Sequence, residues 1–424
     1  MREDTRQWIA QDQANCWHPF TRQGEWCARG HEPLVLVRGE RSWLWDSEGR
    51  KYLDGNSSIW TNIHGHAHPA INAAIQAQLE RTAHTSFLGF THPLAAELAG
   101  RLCGFFPAHS LERVFFSDDG STAVECALKM ALQYRQQTGE PDRNLFVAFA
   151  NGYHGDTLGA ASLGGVGRFF ERFRGIGYPV QHVETMDELR KSTAEKIAAV
   201  VIEPLIQGVN EMRTWPTGML AELRNWCDES GVHLILDEVM TGFGRTGTMF
   251  ACQQENVIPD FLCLAKGLTG GYLPLAATLT TQKIYDAFLD GADRAFYYGH
   301  SYTANPLGCA AALASLGLFE TERTLDHLPE KIARLADDLA ALKSSHPIVH
   351  EIRQCGLIAG VELRRPDGEK FPPGERFGES ICLAARAHGL LTRPILDTIV
   401  LMLPLCTSLD EIDHAVQALD SALS

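Results

Sequence analysis

The stretch that decides the fold runs over residues 232–274 and reads VHLILDEVMTGFGRTGTMFACQQENVIPDFLCLAKGLTGGYLP. It opens with the apolar run His233-Leu-Ile-Leu236, which ends on Asp237 and Glu238. It closes with Phe261-Leu-Cys-Leu-Ala265, which ends on Lys266 ahead of Gly267-Leu-Thr-Gly-Gly271. Short apolar runs with charged ends and glycine punctuation read as buried parallel strands. In an open α/β sheet the ligand crevice lies beyond the carboxyl ends of such strands. The pattern therefore predicts that Asp237 and Lys266 enter one crevice from neighbouring strands.

A lysine and a carboxylate at adjacent strand ends can be a plain ion pair. A lysine that loses its charge on burial is instead an amine nucleophile toward aldehydes, pyridoxal phosphate (PLP) among them. Chemistry on that cofactor also needs an acid beside the pyridine nitrogen, so that the ring can take up electrons. Asp237 and Lys266 have the right groups for those two roles. A phosphate cup is the third requirement, and it stands upstream. Val114-Phe-Phe116 reads as a strand, and Ser117-Asp-Asp-Gly-Ser-Thr122 turns it into a helix over 123–137. The small residues Gly120 and Ser121 leave backbone N–H groups open to a phosphate at the positive end of the helix dipole. Capping of that helix by Ser121 or Thr122 is the simpler alternative. A strand at 145–149 leads to Asn151-Gly-Tyr-His-Gly-Asp156, which offers Tyr153 as a flat ring to stack on a planar group.

Composition sets the limits within which this reading sits. A chain of 424 residues exceeds what one core usually organises, which predicts two lobes. With 37 basic and 52 acidic residues the formal charge is −15, which argues against nucleic acid or an anionic membrane as partner. No apolar run approaches membrane-spanning length, and the acidic Met1-Arg-Glu-Asp-Thr-Arg6 lacks the apolar core of a signal peptide. The 11 cysteines form no Cys-x-x-Cys pair and several sit inside apolar runs, which predicts free thiols in a reducing cytoplasm and no zinc site.

Working outward, strands are expected at 34–37, 42–45, 114–116, 145–149 and 198–202, with helices at 70–82, 94–102, 123–137 and 219–230. Strand–helix–strand repeats from 114 to 280, so the class is α/β with a mostly parallel, doubly wound sheet. Helices follow at 307–322 and 327–345. Residues 348–363 and 390–405 read as strand-rich, with a helix at 384–388 between them and an amphipathic tail at 409–422. The smaller lobe is then α+β and built from both chain ends, giving expected boundaries of 1–62, 63–315 and 316–424. Two motifs are set aside. Gly242-Phe-Gly-Arg-Thr-Gly247 matches the dinucleotide fingerprint but lacks a helix on its last glycine and an acid about twenty residues on. His64-Gly-His-Ala-His68 has no acidic or cysteine companions and reads as a turn before a helix rather than a ligand set for a metal.

Taken together, Lys266, Asp237, the Gly120-Ser121 cup and Tyr153 resemble the class III aminotransferases of fold type I. Within them the chain is most similar to the biotin-pathway branch that converts 8-amino-7-oxononanoate to 7,8-diaminononanoate. The resemblance covers nearly the whole length, through Trp17-His-Pro-Phe20, Asp54-Gly-Asn-Ser-Ser58, Asn151-Gly-Tyr-His-Gly-Asp156, Thr241-Gly-Phe-Gly-Arg-Thr-Gly247, Lys266-Gly-Leu-Thr-Gly-Gly271 and Thr392-Arg-Pro394. It implies that Lys266 holds PLP and shuttles the proton, and that Asp237 binds the pyridine nitrogen. It implies that Gly120 and Ser121 hold the phosphate, that Tyr153 covers the ring with His154 beside it, and that Arg393 receives a substrate carboxylate. Gly299, His300 and Ser301 are implied to reach a neighbouring subunit's cofactor, which makes the expected working unit a homodimer.

The amine donor is where the residues and the branch's usual habit separate. Phe20 stands where adenosylmethionine-using relatives have tyrosine, and Ile59 stands where they have the first of two tryptophans. Trp60 alone is left to face an adenine or a sulfonium. The resemblance on these positions is to the lysine-using branch, so L-lysine is the expected donor and S-adenosylmethionine the alternative. The competing functions are another class III enzyme, an ω-amino acid transaminase or aminomutase, and a non-catalytic protein that keeps the fold.

Overall fold

The computed structural model describes residues 1–28, 31–173, 175–372 and 374–424. After an N-terminal helix, Glu3–Asn15, come the first three strands: β1 (Leu36–Glu40), β2 (Trp43–Asp46) and β3 (Lys51–Asp54). The middle of the chain carries β4 (Leu111–Ser117), β5 (Leu145–Phe149), β6 (Val180–Val183), β7 (Ile197–Ile202), β8 (Ile206–Gln207), β9 (Arg213–Thr214), β10 (His233–Asp237), β11 (Phe261–Leu264) and β12 (Ala276–Thr281). The last quarter adds β13 (Val349–Cys355), β14 (Ile358–Leu363), β15 (Leu390–Leu391), β16 (Pro394–Ile395) and β17 (Thr398–Met402).

Among the described residues the central sheet has the order β4-β12-β11-β10-β7-β5-β6. Every neighbouring pair in it is parallel except those made by β12, which runs antiparallel to β11 and to β4. Helices cover both faces, so β7, β10 and β11 are buried along their whole length, as a parallel sheet requires. This is the mostly parallel α/β fold expected from the repeat. The helix Gly120–Gln137 packs on β11 and β12 and starts three residues earlier than its apolar periodicity suggested. The reason is Asp119, whose carboxylate accepts the Thr122 N–H at 2.9 Å while Thr122 caps back in return. Asp119, rather than Ser121 or Thr122, is therefore the cap.

The two chain ends meet in a second sheet, β1-β2-β3-β15, where β15 joins β3 in parallel with Leu391 opposite Asp54. A third sheet, β13-β14-β17-β16, completes the C-terminal part, and the expected helix at 384–388 is the tail of a longer one, Phe377–Ala387. Arg245, from the glycine-rich stretch that matched the dinucleotide fingerprint, ties these parts together. It is fully buried and donates to the carbonyls of Leu403 and Asn62, both at 2.7 Å. Its glycines bend the chain around that clamp instead of opening a helix.

One local structure was not expected. Ser57, Ser58, Ile59 and Trp60 all have positive φ, of 43°, 48°, 67° and 68°. The N–H of Trp60 reaches the Asn56 carbonyl and that of Thr61 reaches the Ser57 carbonyl, each at 2.9 Å, so the segment is one turn of left-handed helix. L-residues lose about 1–2 kcal/mol each in that conformation. Long-range contacts over-determine it. Asp54 accepts the Ser58 N–H at 2.9 Å and its hydroxyl at 2.8 Å, and His66 Nε2 lies 2.9 Å from the same carboxylate. Ser57 Oγ donates to the Met402 carbonyl at 2.5 Å.

Candidate active site

The carboxyl ends of β5, β7, β10 and β11 open on one cavity of about 420 Å³, whose wall includes Trp60, Gly120, Ser121, Tyr153, His154, Glu203, Asp237 and Lys266. Register explains the convergence. Asp237 ends β10 opposite Cys263 of β11, and Lys266 follows three residues later. Leu236 pairs with Ile202 of β7, so Glu203 emerges beside Asp237.

Asp237 and Lys266 share the cavity but are not an ion pair. The Asp237 carboxylate lies 2.8 Å from Nδ1 of His154 through Oδ2 and accepts the Val239 N–H at 3.1 Å through Oδ1. Burial alone would lower the His154 pKa, but the hydrogen bond and charge of Asp237, with the charge of Glu203, raise it above the ordinary histidine value. The pair is therefore charge-assisted. Lys266 has, among the described residues, neither a hydrogen bond nor an ion-pair partner. Its backbone is left-handed, with φ of 43°, and its Nζ sits 5.0 Å from the centroid of the Trp60 ring. Burial lowers its pKa, and the charges of Asp237 and Glu203 offset that only in part. A lysine of depressed pKa with a free Nζ is a competent amine nucleophile and proton carrier.

Gly120 and Ser121, also on the cavity wall, are the first two residues of an 18-residue helix, whose first-turn N–H groups lack intrahelical partners. Close packing makes this corner exact in shape. A Cβ on Gly120 would lie 2.5 Å from Val239, and one on Gly155, whose φ is +118°, would lie 2.2 Å from Ser121 Oγ. Ser121 Oγ accepts the Asp156 N–H at 3.1 Å, which pins the Tyr153 loop to the helix start. The Tyr153 ring stacks on Phe170 with centroids 6.4 Å apart, and its hydroxyl donates to Asp156 at 2.6 Å. Trp60 also lines the cavity, its Nε1 donating to Asn56 Oδ1 at 2.8 Å. An open helix N-terminus, a buried acid, aromatic side chains and a lysine on one cavity are groups whose chemistry suits pyridoxal phosphate.

Other candidates lie away from this wall. Arg393 is exposed just past β15, and Phe20 and Ile59 are exposed side chains outside the lining. Gly299 and Ser301 are also outside it, while His300 touches its rim, with Nδ1 2.9 Å from Asp118 Oδ2. The three histidines at 64, 66 and 68 go to separate partners, Ser315, Asp54 and Glu322. Among the described residues no cluster of His, Cys, Asp and Glu is arranged to hold a metal ion. Sequence reasoning passed over Glu203. It is buried, accepts the Tyr153 N–H at 3.0 Å and the Gly208 N–H at 2.9 Å, and burial raises its pKa to about 7. Its only signal was a charged residue closing an apolar run, the signal that had pointed to Asp237.

Comparison with known proteins places this geometry. The chain matches the aminotransferase class-III family over residues 26–423. It is 44% identical to the adenosylmethionine-8-amino-7-oxononanoate aminotransferase of Geobacter sulfurreducens, across 97% of this chain and 96% of that protein. It is 47% identical to the protein of the same name from Nitratidesulfovibrio vulgaris, across 97% of this chain and 80% of that one. Among solved structures it is similar to the adenosylmethionine-8-amino-7-oxononanoate aminotransferase of Methanocaldococcus jannaschii, with a TM-score of 0.95, 38% identity and 99% of each chain covered. An amine transaminase from an uncultivated Pseudomonas species, solved with PLP bound, gives a TM-score of 0.90 at 35% identity, over 96% of this chain and 98% of that one.

Proposed function

The chain belongs to the class III aminotransferases, and from that premise we propose that it transfers an amino group to the C7 ketone of 8-amino-7-oxononanoate, producing 7,8-diaminononanoate. The observation that carries the reading is a free, pKa-depressed Lys266 in the same cavity as the Asp237–His154 pair and an open helix N-terminus. Pyridoxal phosphate supplies an aldehyde that amines condense with, and a ring that takes up the electrons of a broken C–H bond. The N–H groups of Gly120 and Ser121 hold the phosphate end. Asp237, backed by His154, keeps a proton on the ring nitrogen. Tyr153 would cover a face of the ring, and Trp60 would offer a flat surface to the donor. Lys266 Nζ would take the proton from the carbon that bears the donor's amine and pass it to the cofactor, and in the second half-reaction would move a proton back from the cofactor to C7 of the acceptor. Arg393, exposed and without an ion-pair partner among the described residues, takes a substrate carboxylate by a two-point contact.

The working unit in this reading is a homodimer in which Gly299, His300 and Ser301 reach the second copy's cavity. Support comes from the large apolar side chains left exposed near that segment, Leu88, Phe90, Tyr297 and Tyr302. All eleven cysteines are free thiols, which supports a reducing compartment, the cytoplasm, as the place of work. Among the described residues no helix is long and apolar enough to cross a membrane.

For the donor we favour L-lysine. Among the described residues Trp60 is the one tryptophan on the cavity wall, and a single flat face suits an aliphatic stem with an ammonium group better than an adenine and a sulfonium together. The names of the relatives favour S-adenosylmethionine, and that is the second reading. The test is to mix the PLP-loaded protein with each amine and follow loss of the cofactor's visible band, then add 8-amino-7-oxononanoate and identify the product by mass. Conversion by adenosylmethionine with none by lysine reverses the donor. Absence of the diamine product with either donor removes the acceptor assignment.

A further inference from the structure

Glu203 is a buried carboxyl in the cavity for which the proposed chemistry has no use, and its two oxygens go to two separate backbone N–H groups. Oε1 accepts the backbone N–H of Tyr153 at 3.0 Å. Oε2 accepts the N–H of Gly208 at 2.9 Å. Gly208 is packed without slack, since a Cβ there would lie 3.1 and 3.2 Å from atoms of the Trp60 ring and 2.7 Å from Met240 Sδ. Any shift of the Gly208 backbone therefore shifts the surface on which Trp60 rests. We propose that Glu203 is a positioning residue that ties the Tyr153 backbone to the Gly208 backbone and so holds two aromatic side chains of the cavity, Tyr153 and Trp60, at their working separation. The inference rests on reading this cavity as the amine-donor site, but the geometry of the clamp does not depend on which amine enters.

The clamp needs the ionised carboxylate. Both of its partners are N–H donors, and a carboxylate offers an acceptor to each. A protonated acid or an amide offers one good acceptor, and turns an O–H or N–H toward the second donor. The charged groups facing Glu203 are Asp237 at the end of β10, His154 after β5 and Lys266 after β11. Burial first, and then the charge of Asp237, raise the Glu203 pKa to about 7 against the opposing pull of His154. The folded-state value lies above the ordinary carboxyl value, so the ionised, two-point form fills in as pH rises through neutrality. The walls therefore tighten across that window and loosen below it.

The first test uses the cofactor-free protein and no substrate. With Trp60→Phe as the spectral blank, the near-ultraviolet circular dichroism of Trp60 is followed from pH 6 to 8.5. A titration with a midpoint near neutrality is expected in the wild type. Glu203→Gln should hold the low-pH signal throughout. The second test is kinetic: Glu203→Gln should raise KM for the donor amine about tenfold, with kcat changed far less. That KM effect should shrink in a Trp60→Ala background. A wild-type Trp60 signal that is flat with pH overturns the proposal, and it needs no variant to fold. A Glu203→Gln enzyme with wild-type KM and wild-type titration overturns it as well. If Trp60 titrates as described but no diamine forms from 8-amino-7-oxononanoate, the clamp stands and the proposed reaction falls.

Discussion

Asp237→Asn is the sharpest perturbation the site offers, because it keeps the shape of a buried side chain and removes its charge. In the native protein Asp237 is 4% exposed, with Oδ2 2.8 Å from His154 Nδ1 and Oδ1 on the Val239 N–H at 3.1 Å. Asparagine can keep one of those contacts through its carbonyl, so Val239 and the end of β10 should hold their place. What goes is the negative charge that raises His154 and would hold a proton on the ring nitrogen. Breaking a buried charge pair by removing one member costs about 3–5 kcal/mol. At about 1.4 kcal/mol per factor of ten, that is roughly two to four powers of ten if the loss falls on the transition state. It should fall there, because in the proposed site the phosphate end would be held separately, at Gly120 and Ser121. The assay pairs steady-state kcat with cofactor retention, measured by absorbance after dialysis. A fall of about 10²–10⁴ in kcat with the cofactor retained is expected. A kcat within threefold of wild type refutes the assignment, and equal losses in binding and rate would mean that Asp237 is only a docking contact.

Lys266→Ala should still take up pyridoxal phosphate through the helix N-terminus, but borohydride should no longer fix the cofactor to the chain. In the wild type, peptide mapping should find the reduced adduct on Lys266, and an adduct on another lysine removes it from its role. Arg393→Lys should raise KM for the carboxylate-bearing substrate about tenfold or more, because an ammonium cannot copy a two-point contact; thermal stability, read by calorimetry, should not change. Ile59→Trp should shift the ratio of kcat/KM toward adenosylmethionine by supplying a second flat face, and an unmoved ratio would take Ile59 out of donor choice. Asp54→Asn should lower the unfolding midpoint, since a buried carboxylate that accepts from Ser58 and lies beside His66 is worth about 1.5–3 kcal/mol per charged hydrogen bond.

The parts of this protein that were legible in its sequence are those where one residue's chemistry contradicts its surroundings. Asp237 and Lys266 each end an apolar run, and a charge at the end of a buried strand has few places to go except the crevice at the sheet's edge. Glu203 ends such a run too, between Ile202 and Pro204, yet nothing local says that it reaches Tyr153 and Gly208. The helix at Gly120 began earlier than its apolar period because a capping box at Asp119 and Thr122 outweighed the pattern that starts at Ala123. The left-handed turn was not legible at all. Ser57-Ser-Ile-Trp60 contains no glycine or asparagine to announce positive φ. Its conformation is held by Asp54 nearby and by Met402, 345 residues away in the chain from Ser57. A tertiary contact of that span leaves no trace in local composition.

The division of charge inside the cavity explains why an acid and a lysine can sit together and both remain useful. Had Asp237 paired with Lys266, the lysine would be held protonated and the acid would be neutralised. His154 prevents that by occupying the Asp237 carboxylate at 2.8 Å. Its raised pKa is the counterpart of that contact, since the hydrogen bond and charge of Asp237 outweigh burial. Lys266 has a left-handed backbone, and its Nζ lies 5.0 Å from the centroid of the Trp60 ring, whose attraction for an ammonium is weaker than that of a carboxylate in contact with it. Burial then keeps the amine's pKa low. Trp60 can take that position because the strained turn at Ser57–Trp60 carries it there, and the turn persists because Asp54 and Met402 hold it. The reactivity of one lysine thus depends on a histidine pairing on one side and on a strained backbone turn on the other.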